Sequence, residues 1–377
     1  MSSTWPKLGA AVTAALLTIA SFPTAAAPVQ IDLRAPTGFT AVSIDPVGND
    51  HFCITGDLTS DDGESRTAWA TLVDVVPKQI AWAQRLPPPD HYIGNSAVRC
   101  ATDGHSYYVL TQAYTHSEST LNQTKVFINQ LSPKGELGIS TLVSAGFDEW
   151  ATALDASPAA ISVIGGANSA LDSQGRFSMY VQQFDATLKL THSVTIPHGA
   201  FAPNSEASLR QGSLRIAGEF LPDTVANAAG RQAFAFSDVD LRTGRYSWST
   251  YVSPPKTRSE KSLLASDGRD LYVGLTPNDM TVAVVNAKGE VAQTFSTANP
   301  LCEIKAIGGS GDTLYLLGAA CNQEATGQLF LIDVKHRTTK LVRELPGYIV
   351  VARFTDSGWA AVMKQKDGML SLMHDGF

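Results

Sequence analysis

Short apolar runs separated by polar turns recur along the chain after residue 35. In a typical copy, residues 96–100 form an apolar run, Asp103 and Gly104 form a turn, and residues 107–110 form a second apolar run. Short runs of this kind, bounded by turn residues, predict antiparallel strands joined in hairpins. The first strands of the copies begin, in chain order, at Thr40, Ser96, Trp150, Ala207, Lys261, Glu303 and Ile349.

A third and a fourth strand follow the hairpin in each complete repeat. Residues 328–333 illustrate the third strand and residues 340–343 the fourth. Four strands in a repeat of roughly 40–55 residues are typical of the blades of a β-propeller. The pattern therefore predicts an all-β chain folded as a seven-bladed β-propeller, with a β-sandwich or a solenoid as the structural alternatives.

The last repeat has room for only three strands, because it begins at Ile349 and the sequence ends at Phe377. Residues 29–33 supply an apolar strand ahead of the first repeat. If this N-terminal strand pairs with the last blade, the ring closes and no open sheet edge remains. We expect residues 27–377 to form one such β-propeller domain.

The period and the strand pattern resemble those of bacterial exported seven-bladed β-propeller proteins over nearly the whole of residues 27–377. The repeats carry no WD dipeptide, no kelch double glycine with paired aromatic residues, and no tryptophan-docking motif. The resemblance therefore implies the fold, and it assigns no catalytic residue.

Residues 1–26 have the pattern of a secretory signal peptide. Lys7 supplies a positive charge, residues 8–22 are apolar, and small residues follow, with cleavage expected after Ala26. The apolar run is short for a membrane span, so a retained membrane anchor is the less favoured alternative. We expect a periplasmic or secreted protein with no membrane insertion after signal cleavage.

The composition narrows the choice of partners. The formal net charge is −7, only 17% of the residues are charged, and Lys and Arg do not cluster. Nucleic-acid binding depends on clustered basic residues that neutralise phosphates, so no nucleic-acid partner is expected. A protein or a polar small molecule remains as the expected ligand, and no feature of the sequence indicates an oligomeric state.

Four cysteines in an exported chain indicate disulfides, for which three pairings exist. Cys302 and Cys321 lie nearly symmetrically about the turn at residues 308–312, so they are expected to face each other across a hairpin. Cys53 and Cys100 then form the second disulfide and join neighbouring repeats. Free buried thiols are the alternative, and no CxxC motif indicates a zinc site.

Glutamates stand out as candidate site residues, because no common hydrolase, metalloprotease, nucleotide-binding or EF-hand motif is present. Four consecutive repeats carry a glutamate at the entry to the first strand, namely Glu149, Glu206, Glu260 and Glu303. These entries converge on the mouth of the channel in a propeller, where carboxylates repel one another unless a cation, a proton or a basic side chain compensates. Basic residues of the first strands that are available for such compensation are Lys261 and Lys305, with Arg99 and Arg353 in the first strands of other repeats.

Three interpretations of the four glutamates remain open. They cap strands, they form a cation site whose oxygen ligands suit calcium, or two of them form a catalytic acid–base pair. The absence of a catalytic motif favours an exported cell-envelope binding or assembly protein that acts through one propeller face. The alternative is a hydrolase or lyase that uses channel-mouth carboxylates on a carbohydrate or another polar metabolite, since propellers also host such enzymes.

Overall fold

The computed structural model describes residues 28–376 except for 49, 62, 116–122, 169–176, 211, 223–232, 253–258, 265–269, 277, 311 and 323–325. The predicted signal peptide, residues 1–26, lies outside the described residues. The described part of the chain consists of strands and their connections, without a helix. Accordingly, none of its segments is a helix long and apolar enough to cross a membrane.

The strands of the first half of the chain are β1 (Val29–Asp32), β2 (Phe39–Pro46), β3 (His51–Thr59), β4 (Arg66–Asp74), β5 (Gln79–Leu86), β6 (Gly94–Thr102), β7 (Tyr107–Tyr114), β8 (Thr124–Leu131), β9 (Leu137–Leu142), β10 (Glu149–Ala156), β11 (Ile161–Asn168), β12 (Phe177–Phe184), β13 (Leu190–Ile196) and β14 (Gly199–Phe201). Those of the second half are β15 (Glu206–Arg210), β16 (Ser213–Pro222), β17 (Ala233–Asp240), β18 (Arg245–Val252), β19 (Ser259–Leu264), β20 (Asp270–Leu275), β21 (Asp279–Val285), β22 (Val291–Ala298), β23 (Glu303–Ser310), β24 (Thr313–Ala319), β25 (Gly327–Asp333), β26 (Thr338–Leu345), β27 (Tyr348–Thr355), β28 (Gly358–Lys364) and β29 (Leu370–Gly376).

These strands group into antiparallel units of four. Units 1 and 2 are β2–β5 and β6–β9, units 5 and 6 are β19–β22 and β23–β26, and unit 7 has the order β1-β29-β28-β27. Unit 3 (β10–β13) and unit 4 (β15–β18) belong to one nine-stranded sheet, in which the short strand β14 pairs with both β12 and β16. The sequence pattern did not predict β14.

The first strand of each unit is its inner strand. Each inner strand contacts the inner strands of two other units. The contacts run in the cyclic order β2, β6, β10, β15, β19, β23, β27 and back to β2. Sheets arranged in this way around a common centre are the architecture of a β-propeller. The all-β propeller class is therefore confirmed.

The N-terminal strand pairs with the last unit, as β1 lies antiparallel to β29 with Ile31 opposite Leu372. The pairing has a simple cause, since residues 29–33 alternate and place Ile31 and Leu33 in the core between units 7 and 1. The blade count of seven and the closure of the ring stay predictions.

The hydrophobic core lies between neighbouring sheets. The cluster between units 1 and 2, for example, combines Leu72 and Trp82 of unit 1 with Val109 and Leu131 of unit 2. The fourth strands face outward, and β9 is exposed at all but one of its residues. Each sheet thus buries apolar side chains against both of its neighbours, so the units stabilise one another.

Two tryptophans pack against glycines of the next unit. Gly135, in the turn before β9, has a φ of +81°, and a Cβ there would lie 2.6 Å from the ring of Trp82. Gly289 stands in the same relation to Trp248, with a φ of +83° and a Cβ distance of 2.5 Å. Only glycine fits both the left-handed backbone and this close approach.

Both predicted disulfides are present. Cys53–Cys100 joins β3 of unit 1 to β6 of unit 2, with the Cα atoms 6.1 Å apart. Cys302–Cys321 links the residue before β23 to the region after β24, with a Cα separation of 4.9 Å. The first disulfide therefore connects two units, and the second closes a hairpin within unit 6.

Candidate functional site

Bulges in the inner strands determine which side chains face the centre. Five inner strands skip one residue in their pairing, and these residues are Val42, Val98, Thr152, Lys305 and Val350. A bulge bends the strand and re-aims its side chains. Val98 and Arg99 are successive residues, yet both line the central cavity. Strict alternation along a strand does not allow this.

The central cavity has a volume of about 470 Å³ and is lined by residues of all seven inner strands. Its basic lining residues are Arg99, Lys261, Lys305 and Arg353, and its acidic lining residues are Asp45, Glu206 and Glu303. The whole chain has a formal net charge of −7. Counted as formal charges, the described lining residues are therefore net positive, whereas the whole chain is net negative.

Glu303 is paired with its neighbours in the cavity wall. Its carboxylate lies 2.7 Å from the Lys305 ammonium and accepts a hydrogen bond of 3.1 Å from the Tyr348 hydroxyl. The Lys305 ammonium also lies 5.0 Å from the centre of the Tyr348 ring. Burial disfavours the charge of Lys305, but the hydrogen bonds to Glu303 and Tyr348 outweigh it and raise the pKa of this lysine.

Glu206 forms an ion pair across the channel. A guanidinium nitrogen of Arg353 lies 3.2 Å from its carboxylate, although β15 belongs to unit 4 and β27 to unit 7. The carboxylate raises the pKa of Arg353 against the opposing effect of burial. Both residues also line a smaller cavity of about 280 Å³, so this pair lies where the two cavities meet.

Arg99 interacts with backbone oxygens. Its guanidinium donates to the carbonyl groups of Val98 at 2.9 Å, Thr152 at 3.0 Å and Pro203 at 3.3 Å. Among the described side chains no carboxylate lies within 4 Å of it. Carbonyl oxygens carry no formal charge, so no described residue neutralises the positive charge of Arg99.

Lys261 is the second basic side chain of the cavity without a carboxylate partner within 4 Å among the described residues. Burial lowers the pKa of Lys261, and the positive charges of Lys305 and Arg99 lower it further. Glu206 and Glu303 oppose this effect without cancelling it. A negatively charged group bound beside Lys261 would favour the charged form of the lysine and raise its pKa again.

The structure places Glu149 away from the channel, which corrects the expectation for this residue. Its side chain is fully buried between units 2 and 3, where it lies 3.1 Å from the Lys125 ammonium. It also accepts hydrogen bonds from the backbone N–H groups of Ala145, Gly146 and Val126. Glu149 therefore has the strand-capping role that was one of the three interpretations.

The distance to the bulge in each inner strand explains why Glu149 and Glu303 face different surroundings, and Asn95 provides the comparison. Asn95 precedes the bulge of its strand by three residues, as Glu149 does, and it is also buried and hydrogen-bonded to the preceding unit through Ala68 and Leu86. Glu303 precedes its bulge by only two residues and faces the cavity. One residue of difference turns a strand side chain to the other face.

The glutamates therefore do not form the expected ring. Glu206 and Glu303 line the cavity. The side chain of Glu260 lies outside the described residues. The described part of the chain contains no group of three or more His, Cys, Asp or Glu side chains placed to hold a metal ion. Because Glu206 and Glu303 are already ion-paired, this arrangement disfavours the predicted calcium site.

Sequence reasoning assigned the site to the glutamates and treated Arg99 and Lys261 only as compensating charges. The signal that could have singled them out was available, since five inner strands contain a basic residue in a chain with few charges. What the sequence did not show was that Glu206 and Glu303 pair with Arg353 and Lys305. Among the described residues, these pairings leave Arg99 and Lys261 as the basic side chains of the cavity without a carboxylate within 4 Å.

Solved structures of β-propeller proteins are similar to this chain. The propeller of Dos1 has a TM-score of 0.54 and 10% identity, covering 92% of this chain and 93% of that chain. The β-propeller domain of the Trilobed protease from Pyrococcus furiosus has a TM-score of 0.53 and 8% identity, over 90% and 94%. The chain is a β-propeller protein.

A polysaccharide lyase, Uly1, is similar to this propeller with a TM-score of 0.56 and 9% identity, covering 89% of this chain and 90% of that chain. No protein-family model matches the sequence of the propeller, and no curated protein sequence matches it. At identities this low, the likeness shows the fold and carries no function.

Proposed function

We propose that this propeller is an exported binding protein whose central cavity holds a small organic anion. The observation that carries the proposal is the position of Lys261, a basic side chain that lines the cavity without a carboxylate within 4 Å among the described residues. An ammonium group taken out of water without a partner is costly, and this cost lowers the pKa of Lys261 while no anion is bound beside it. A bound carboxylate or phosphate group supplies the missing partner.

The size and the walls of the cavity fit a small molecule. Its volume of about 470 Å³ lies in the range that ligand pockets occupy. Val42, Val98 and Val350 add apolar surface beside the basic side chains. A ligand with a negatively charged end and an apolar body therefore matches the wall better than an inorganic ion does.

Export is the second part of the proposal. Both disulfides are compatible with an oxidising compartment, where such bonds form and persist. The signal-peptide pattern of residues 1–26 supports the same location. We therefore place the binding activity in the periplasm or outside the cell.

A hydrolase or lyase is less well supported by the cavity. General acid–base catalysis by two carboxyl groups requires one of them to be protonated and the other charged. Glu206 and Glu303 are instead each ion-paired with a basic residue. The similarity to a polysaccharide lyase at 9% identity does not alter this, because it concerns the fold.

Calorimetric titration tests the proposal with hexanoate and phenylacetate, which each have a carboxylate end and an apolar body, and with glucose 6-phosphate, whose body is polar. We expect at least one of them to bind, with an affinity that falls as salt is raised. Lys261→Met should weaken binding about tenfold or more, because a charge-assisted hydrogen bond is lost. Lys134→Met, which removes an exposed lysine, is the matched control and should bind as the wild type does.

Two outcomes contradict the proposed function. In one, none of the three anions binds to the wild-type protein at low salt. In the other, an anion binds, but Lys261→Met and Lys134→Met bind it equally well. The thermal unfolding of each variant must be compared with that of the wild type, so that a loss of binding is not caused by misfolding.

A further inference from the structure

We propose that Lys261 captures a 2-oxo acid in the cavity by forming a reversible imine with its carbonyl carbon. This inference rests on the proposed anion site and names the ligand class of that site. It requires an amine that faces the cavity, positive charge nearby for the carboxylate, and a reason for the amine to be neutral. The described residues supply all three.

The first requirement is met by the position of Lys261 on β19, where it lines the cavity. Among the described residues it has no carboxylate within 4 Å that would hold it as an ammonium ion. Lys305, the other lysine of the wall, is 2.7 Å from Glu303 and is therefore held in the charged form. Lys261 is thus the better nucleophile of the two.

Arg99 meets the second requirement. A guanidinium has five N–H donors, and the hydrogen bonds of Arg99 to three carbonyl groups use three of them. Two N–H groups remain for a ligand, and no carboxylate of the described side chains competes for them. A planar guanidinium suits the planar carboxylate of an oxo acid.

The third requirement is met by the charges around Lys261. Arg99 on β6, Lys305 on β23 and Arg353 on β27 are cations in the same cavity, and Asp45 on β2, Glu206 on β15 and Glu303 on β23 are the anions. The two glutamates are engaged by Arg353 and Lys305. Burial and neighbouring cations both favour a neutral lysine, which is how amines are activated for imine formation. The lowered pKa of Lys261 agrees with this.

The reaction is balanced without a further reagent. The neutral amine adds to the carbonyl carbon, and one N–H proton moves to the carbonyl oxygen to give a carbinolamine. The hydroxyl group then leaves with the second N–H proton as water, and a C=N bond remains. Hydrolysis reverses both steps, so the ligand is released unchanged and the protein acts as a binder.

The test is reductive trapping. The wild-type protein is incubated with pyruvate and sodium cyanoborohydride, which reduces the C=N bond to a stable secondary amine, and the modified peptide is identified by mass spectrometry. We expect one predominant adduct, on Lys261, at neutral pH. Lys134→Met should be labelled on Lys261 as the wild type is, and Arg99→Met should be labelled more slowly, because the carboxylate loses its partner.

The variant Lys261→Arg separates this inference from the proposed function. Arginine also pairs with an anion but forms no such imine, so this variant should still bind an anion of the titration panel while showing no trapped adduct. Adducts spread evenly over exposed lysines, or none on Lys261 while the panel anion still binds, overturn the imine and leave the anion site standing. If no anion binds the wild type and no adduct forms on Lys261, both proposals fail.

Discussion

At the scale of single residues, buried charges in this propeller have two different environments. Glu149 is fully buried and has an ammonium group and three backbone N–H groups as partners. Lys261 faces a cavity and has no carboxylate within 4 Å among the described residues. The first arrangement stabilises the fold, whereas the second leaves the amine of Lys261 available to a ligand. Burial alone does not distinguish these two environments, whereas the charged and hydrogen-bonding partners of each side chain do.

Removing the charge of Glu149 tests its structural role. In Glu149→Gln the ammonium of Lys125, whose side chain is only 12% exposed, loses its ion-pair partner. Breaking a buried pair from one side costs about 3–5 kcal/mol, so we expect a clear fall in the free energy of unfolding measured by urea denaturation. The matched variant Glu344→Gln, at an exposed position, should change it by less than about 0.5 kcal/mol. Equal stabilities of the two variants would contradict this role.

At the scale of the elements, close contacts between one strand and the next unit fix the packing of the sheets. The turn containing Gly135 lies on the ring of Trp82, and Trp82 packs edge-on against Tyr107 at a centroid distance of 5.4 Å. The turn of unit 2 therefore contacts a side chain of unit 1. This contact depends on the absence of a side chain at residue 135.

Alanine substitution separates the two demands on Gly135. In Gly135→Ala the new Cβ is strained by the left-handed backbone and also approaches the Trp82 ring. In Gly104→Ala only the backbone conformation is unfavourable, since φ is +89° and nothing lies within 4 Å of the Cβ. The left-handed conformation costs roughly 1–2 kcal/mol for a residue with a Cβ. Overpacking adds about 1–3 kcal/mol.

We therefore expect Gly135→Ala to lower the free energy of unfolding by more than Gly104→Ala does, as measured by chemical denaturation. If the two substitutions cost the same, the packing of the Gly135 turn on Trp82 contributes nothing to stability.

At the scale of the whole molecule, the two disulfides constrain the chain over different distances. Cys53–Cys100 spans 47 residues and joins two units, whereas Cys302–Cys321 spans 19 residues within one hairpin. In the chain-entropy account a longer closed loop removes more freedom from the unfolded state. The disulfide between units should therefore stabilise the molecule more.

Paired alanine variants test this order. Replacing both Cys53 and Cys100 should lower the free energy of unfolding more than replacing both Cys302 and Cys321, by about 1 kcal/mol from loop length alone. The loss of buried side-chain volume destabilises the Cys53/Cys100 variant further, because both residues belong to the core between units 1 and 2. Thermal unfolding of the two double variants is the measurement, and the reverse order would show that loop length does not dominate.

Local patterns in the sequence determined the class of the fold. Alternating apolar residues and turn residues act over a few positions, so they are sufficient to predict the hairpins, and the repeat length then predicted the propeller. The symmetry of Cys302 and Cys321 about one turn predicted their disulfide, because a hairpin brings symmetric positions together. Elimination then gave Cys53–Cys100.

The tertiary structure alone decided which side chains meet in the centre. The bulges at residues such as Val98 and Lys305 shift the alternation by one position, and no local signal marks them. The Glu206–Arg353 ion pair joins strands from units that are far apart in the sequence. Strand patterns report burial along one strand, whereas a site on the axis depends on the relative register of all the strands around it. For that reason the sequence predicted a ring of glutamates, whereas the folded chain forms a cavity in which Arg99 and Lys261 have no carboxylate within 4 Å among the described residues.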